Sequence, residues 1–151
     1  MLNYVFKIAP YGKGVEYNTS DCDNEKIRRE TIENISDYIE SGKVIQNRLN
    51  QLDREWDVER FIETNAAIII FISTLFGAKR SKYWLIVSIF VSVFLLQHAL
   101  QGWCPLLPLL RKMGVRTENE IFNEKTALKI HRGDFSLAFA DPESLLSVSE
   151  R

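Results

Sequence analysis

The chain has 151 residues, with 19 Lys and Arg against 20 Asp and Glu and a net charge of −1. That balance argues against a nucleic-acid binder, which needs a basic face, and the length suits one or two small domains. The two cysteines, Cys22 and Cys104, sit in unlike surroundings with no CxxC, so no disulfide framework is expected.

Mean hydropathy is slightly negative. The cause is segregation: apolar residues concentrate between Phe61 and Leu110, and charge lies on either side. The opening MLNYVFKIAP has too short an apolar run for a signal peptide. The first membrane helix is expected to act as its own uncleaved insertion signal.

Residues 1–22 contain Pro10, Gly12 and Gly14 without sustained periodicity, and read as a flexible N-terminus. Residues 23–57 read as an amphipathic helical region. Asp23 can cap a helix starting near Asn24. Ile27, Ile32, Ile35 and Ile39 then recur at mostly helical spacing. Ser41-Gly42 is a plausible break, after which Ile45, Leu49, Leu52 and Trp56 form a 4-3-4 seam. The stripe suits either a partner-binding or self-associating helical pair, or a hairpin packing on itself or on the membrane surface. The charged run Asp53 to Arg60 reads as a juxtamembrane collar in which Trp56 anchors at the interface. No spacing within it demands acid–base chemistry.

Residues 58–115 read as a transmembrane hairpin with an interfacial segment. Phe61 to Ala78 is the first span. Tyr83 to Gln101 is the second, carries no charge as far as Leu96, and is just long enough to cross a bilayer core of about 30 Å. The basic Gly77-Ala78-Lys79-Arg80-Ser81-Lys82 stretch forms a tight loop, so the spans run antiparallel. Ser73 with Gly77, and Ser88 with Ser92, are small-xxx-small pairs that let helices in lipid approach. Counting outward from Arg80, Glu63 lies level with His98, and Asn65 with Gln97. Polar groups in lipid are costly unless paired, so these are expected as neighbours, either as polar glue or as a proton or ion site. Lys and Arg nearly balance across the two sides. Both termini are placed in the cytoplasm, which leaves the two long charged regions untranslocated.

Gly102 and Pro105 can end the second helix and turn the chain, with Trp103 as an interfacial anchor. Pro105 to Leu110 is apolar but too short to span, and reads as a segment lying in the interface. Gly102-Trp103-Cys104-Pro105, followed by Leu106-Leu107 and Met113-Gly114-Val115, resembles the signature of the YgaP-like transmembrane family. These are small bacterial inner-membrane hairpins whose second helix ends in Gly-aromatic-Cys-Pro. The resemblance covers roughly Val58 to Val115. The strings EWDVER, LLQHALQGWCP and ALKIHRGDF are similar to a subgroup without a rhodanese domain, and the helical N-terminal region here is too short for one. The resemblance implies a two-span fold, dimerisation through the helices and a link to sulfur handling.

Cys104 stands open to two roles. As a reactive thiol it would carry a persulfide, or bind metal with His98, a dimer supplying four ligands. As a structural residue it would be a small apolar group under the turn. Arg111, Lys112 and Arg116 read as a basic collar for anionic headgroups. Residues 116–133 read as a C-terminal helix, opened by a Thr117–Glu120 capping box and stopped at Gly133. Residues 134–151 read as a flexible tail.

The chain has no phosphate-cradling Gly loop, nucleophile elbow, HExxH or Ser/His/Asp set, so no catalytic residue, cofactor or resident metal is expected. The fold class is an all-α membrane protein, an antiparallel two-helix hairpin flanked by amphipathic cytoplasmic helices. The leading function is a non-enzymatic bacterial inner-membrane homodimer that presents helices to a cytoplasmic protein. The competing function is a thiol-dependent sulfur or redox accessory protein using Cys104.

Overall fold

A computed structural model describes residues 13–41 and 44–135. The loop expected for residues 1–12, Gly42, and the tail from residue 136 lie outside them. Every regular element among the described residues is an α-helix: α1 Gly14–Tyr17, α2 Asp21–Glu40, α3 Ile45–Leu52, α4 Val58–Lys79, α5 Tyr83–Gln101, α6 Leu107–Lys112 and α7 Glu118–Arg132. The chain divides into two compact units, Met1–Ile27 with Trp56–Asn119, and Arg28–Glu55 with Glu120–Arg151.

In the first unit, α4 and α5 pack side by side as an antiparallel hairpin. Their 22 and 19 residues correspond to roughly 33 and 28 Å, enough to cross a bilayer core. Only 17% and 11% of their most apolar stretches are buried within the protein. The core helix of a water-soluble domain would be mostly covered, so these surfaces are left for lipid. The outward side chains are large and apolar, among them Phe71, Ile72, Ile86, Ile89 and Phe90. Helix α4 starts earlier than the Phe61 expected. Asp57 adopts extended backbone and its Oδ1 accepts from the Arg60 backbone N–H at 2.6 Å, capping the helix at Val58.

The seam expected over 45–56 breaks before Trp56. Helix α3 stops at Leu52, and tight turns close it through Asp53 N–H to the Leu49 carbonyl and Arg54 N–H to the Gln51 carbonyl, both at 3.0 Å. Trp56 therefore lies beyond the helix and in the other unit. Its ring stands edge-on to Phe61 at 6.4 Å and under the Arg60 guanidinium at 5.6 Å.

The N-terminal stretch is more ordered than its composition suggests. Helix α1 occupies residues 14–17, and α2 begins before Asp23. Ser20 is the effective cap: its hydroxyl accepts from the Asp23 backbone N–H at 3.2 Å and donates to the Asp23 carboxylate at 2.6 Å. The cap thus sits one turn upstream of the one expected from Asp23 alone.

The first unit has a compact core of Val15, Val58, Ile62, Cys104, Leu107 and Leu110, with Phe61, Leu95, Leu106 and Val115 around it. Leu107 and Leu110 are 0% and 1% exposed. The Pro105–Leu110 segment runs into α6 with two faces: Leu107 and Leu110 pack inward, while Pro105, Pro108 and Leu109 are exposed. Pro108 fits early in this short helix because the missing N–H is an orphan there.

In the second unit, Leu49 and Leu52 of α3 pack with Ile121 and Leu128 of α7, and Ile35, Tyr38 and Ile45 close the edge. The Ile stripe of α2 divides: Ile35 points inward, while Ile32 and Ile39 are exposed. Glu124 is fully buried and accepts from Arg48 Nε at 2.7 Å. A carboxylate in that position needs such a partner. Lys125 pairs with Asp53 at the surface at 2.6 Å. Helix α7 starts directly after Thr117 and ends at Arg132, with Gly133 at φ 86 as its left-handed stop.

Candidate functional site

The residues singled out in the sequence fall into two places: the hairpin interior and the Gly102–Pro105 turn. Small hydroxyl residues meet inside the hairpin. Ser73 and Ser88 Oγ atoms are 2.7 Å apart, and Thr74 Oγ1 is 3.0 Å from Ser88 Oγ. Ser73 also donates back to the Ile69 carbonyl at 2.6 Å, so its hydroxyl is satisfied within α4 as well. Ser73 and Ser88 are both buried. Nearer the loop, Gly77 faces Leu85: a methyl group on Gly77 would lie 2.5 Å from Leu85 Cδ2. Ser92, by contrast, is exposed and turns its hydroxyl to the Ser88 carbonyl in its own helix at 2.8 Å.

The polar residues toward the open end of the hairpin are arranged differently. Asn65 donates its side-chain amide to the Phe61 carbonyl, one turn back, at 2.8 Å. Gln97 is half-buried, and no hydrogen bond joins it to Asn65. His98 is buried and its Nδ1 has no hydrogen-bond partner, while Glu63 is exposed and acts on it through space. The hydrogen-bonded polar contact that joins the spans is therefore hydroxylic and lies in the third of the hairpin nearest the loop.

At the turn, α5 ends at Gly102 with φ 69, and the Gly102 N–H closes on the His98 carbonyl at 2.7 Å. This left-handed conformation is the ordinary glycine stop. The tertiary setting adds a second demand. A Cβ on Gly102 would lie 2.3 Å from the Gly14 carbonyl carbon. The turn and α1 thus meet backbone to backbone. Asn18 locks the contact by donating its side-chain amide to the Gln101 and Gly14 carbonyls, each at 2.8 Å. One of the orphan carbonyls at the end of α5 is satisfied in this way. Val15 then inserts beside Cys104 in the core.

Cys104 is 4% exposed. Burial pushes its thiol above the ordinary range, and the Leu106 and Leu107 N–H groups only partly oppose that. A neutral, covered thiol is a poor nucleophile. Among the described residues no three His, Cys, Asp or Glu side chains come together as a metal site. Cys22 is exposed on α2.

A polar brace surrounds this core. Arg111 is fully buried, with Nη1 donating to the Val115 carbonyl at 3.1 Å and Nη2 to Asn24 Oδ1 at 2.8 Å. Asn24 in turn donates to the Glu16 carbonyl at 2.9 Å. The Val58 N–H donates to the Arg116 carbonyl at 2.9 Å, tying the start of α4 to the chain after α6. Arg111 and Arg116 are both buried. They are internal braces and not the headgroup collar expected of them; only Lys112 of that group is exposed. Gly14, Asn18 and Asn24 had no signal in the sequence, because each acts on chain at least 80 residues away or on its own turn.

Trp56 and Trp103 are 49% and 36% exposed and mark the open end of the hairpin. Tyr83 and Trp84 mark its tip. Aromatic residues at both ends of an apolar band are the pattern of a membrane-spanning element.

Comparison with known proteins agrees with this geometry. Residues 57–120 match the family described as inner membrane protein YgaP-like, transmembrane domain. No curated protein and no solved structure matches the chain. The matched stretch begins at the Asp57 cap, contains both spans and the Gly102–Pro105 turn, and ends as α7 starts. The protein is a membrane protein whose residues 57–120 are similar to the transmembrane domain of the YgaP-like inner membrane family.

Proposed function

We propose that the protein is a non-enzymatic membrane anchor: its hairpin holds and dimerises the chain, and its remaining helices engage a cytoplasmic protein. The observation that carries this reading is the unit formed by Arg28–Glu55 and Glu120–Arg151. It has a core of its own, a buried Arg48–Glu124 pair and a surface Lys125–Asp53 pair. It also exposes Ile32 and Ile39 seven residues apart on α2, and Phe122 and Ile130 on α7. An apolar stripe at heptad spacing on a polar helix is the face that a partner helix reads. The termini are assigned to the cytoplasm because that leaves this charged unit untranslocated.

Dimerisation follows from the family resemblance. Ser73, Gly77 and Ser88 are already used within one hairpin, so a second copy would pack on the outer faces, which include Ser92. The competing thiol role is disfavoured by the burial of Cys104 and its raised pKa.

The test is in-cell crosslinking of the wild type and an Ile32→Glu/Ile39→Glu variant, with light scattering of the solubilised protein. The reading expects a dimer mass for both and a crosslinked protein that disappears only in the variant. An identical crosslinking pattern in both would refute the partner face. Persulfide labelling lost in Cys104→Ser would favour the thiol role.

A further inference from the structure

We propose that the tip of the hairpin binds an anionic phospholipid, with its phosphate on Lys79 and Arg80 and its acyl chains along Leu75 and Phe76. These four residues line one open groove of about 570 Å³. Their spacing sets the chemistry. Positions i and i+4 lie on one helix face, so the apolar pair sits one turn deeper in the bilayer than the basic pair. A phospholipid has the same order, chains within and phosphate at the rim.

Charge complementarity selects the headgroup. Lys79, Arg80 and Lys82 are all exposed, and no Asp or Glu occurs between Glu63 and Glu118. None of the three basic side chains takes part in an ion pair. Three cations with no carboxylate at their end of the hairpin would attract an anionic surface.

The aromatic residues fix the depth. Phe76 and Trp84 rings stack at 5.4 Å with an interplanar angle of 35°, and Tyr83 and Trp84 are 72% and 45% exposed. Such rings settle among headgroups, which puts the neighbouring Lys79 and Arg80 at phosphate level. A free phosphate would use the cations but gain nothing from Leu75 and Phe76, so the lipid is the better fit.

This inference rests on the hairpin lying in a bilayer and is independent of the proposed partner. The test uses full-length protein, delipidated in detergent and titrated with dioleoyl phosphatidylglycerol or dioleoyl phosphatidylcholine, with retention read by native mass spectrometry. Phosphatidylglycerol should be held about thirtyfold more tightly, the scale set by two phosphate-facing cations. Lys79→Gln/Arg80→Gln should abolish that preference with helicity unchanged. Lys112→Gln, an exposed cation at the other end of the hairpin, should keep it. Equal retention of the two lipids would overturn the proposal. So would an unchanged preference in Lys79→Gln/Arg80→Gln, equal loss in Lys112→Gln, or displacement of the lipid by millimolar inorganic phosphate. Failure to float with vesicles of either lipid would remove the membrane reading itself.

Discussion

Gly102 and Gly14 touch through their backbones: a methyl group on Gly102 would lie 2.5 Å from the Gly14 Cα and 2.8 Å from its carbonyl oxygen. The residue that ends the second span is therefore also the seat of α1. Gly102→Ala should cost about 2–5 kcal/mol, combining left-handed strain of roughly 1–2 kcal/mol with overpacking of roughly 1–3 kcal/mol. Thermal unfolding in mild detergent measures it, and limited proteolysis should show faster cleavage between residues 13 and 20. Wild-type protection of that stretch in Gly102→Ala would refute the contact.

The Ser73–Ser88 pair makes a graded prediction. Ser88→Ala should cost only about 0.6 kcal/mol, the average for such contacts in lipid, because Ser73 keeps its bond to the Ile69 carbonyl. Ser88→Leu should cost more, since both serines are buried and the added volume forces the helices apart. Resistance of the hairpin to SDS unfolding ranks the variants. A Ser88→Leu protein as stable as Ser88→Ala would show that the spans do not pack there.

Cys104 and Cys22 should differ sharply toward alkylating reagents. Exposed Cys22 should label rapidly in the native protein and buried Cys104 only after denaturation. The Cys104 thiol is pushed up on folding, so the neutral form is favoured in the native state. Its contribution to stability is complete below the ordinary thiol pKa and is lost as pH rises through the higher folded value. Mass spectrometry after timed labelling between pH 7 and 10 reads both effects. Native Cys104 labelling as fast as Cys22 at pH 7 would reopen the thiol role.

Arg48 and Glu124 test the second unit. Removing one partner leaves the other charge uncompensated, so Arg48→Ala should destabilise by about 3–5 kcal/mol. Arg48→Met/Glu124→Leu should recover much of that, because an apolar pair of similar volume avoids the buried charge. Circular dichroism during urea unfolding follows the loss. Equal destabilisation by the single and double variants would mean that the pair is not the determinant.

The sequence alone was enough for the two spans, their basic loop and the stop at Gly133. Each is a local property: an uninterrupted apolar run has to leave water, a short charged loop reverses direction, and a glycine terminates a helix. The family resemblance was legible for the same reason, since its motif is contiguous. Tertiary structure alone decided the fate of Cys104, the inward turn of Leu107 and Leu110, and the burial of Arg111. It also brought the Ser73 and Ser88 hydroxyls together as a direct contact between the spans. Those outcomes depend on which distant segment arrives at each position. Gly14, Val15 and Asn18 carry no periodic signal, yet they cover the turn and help make the Cys104 thiol an interior group. Periodicity reports the face a residue occupies, whereas burial depends on what packs against that face.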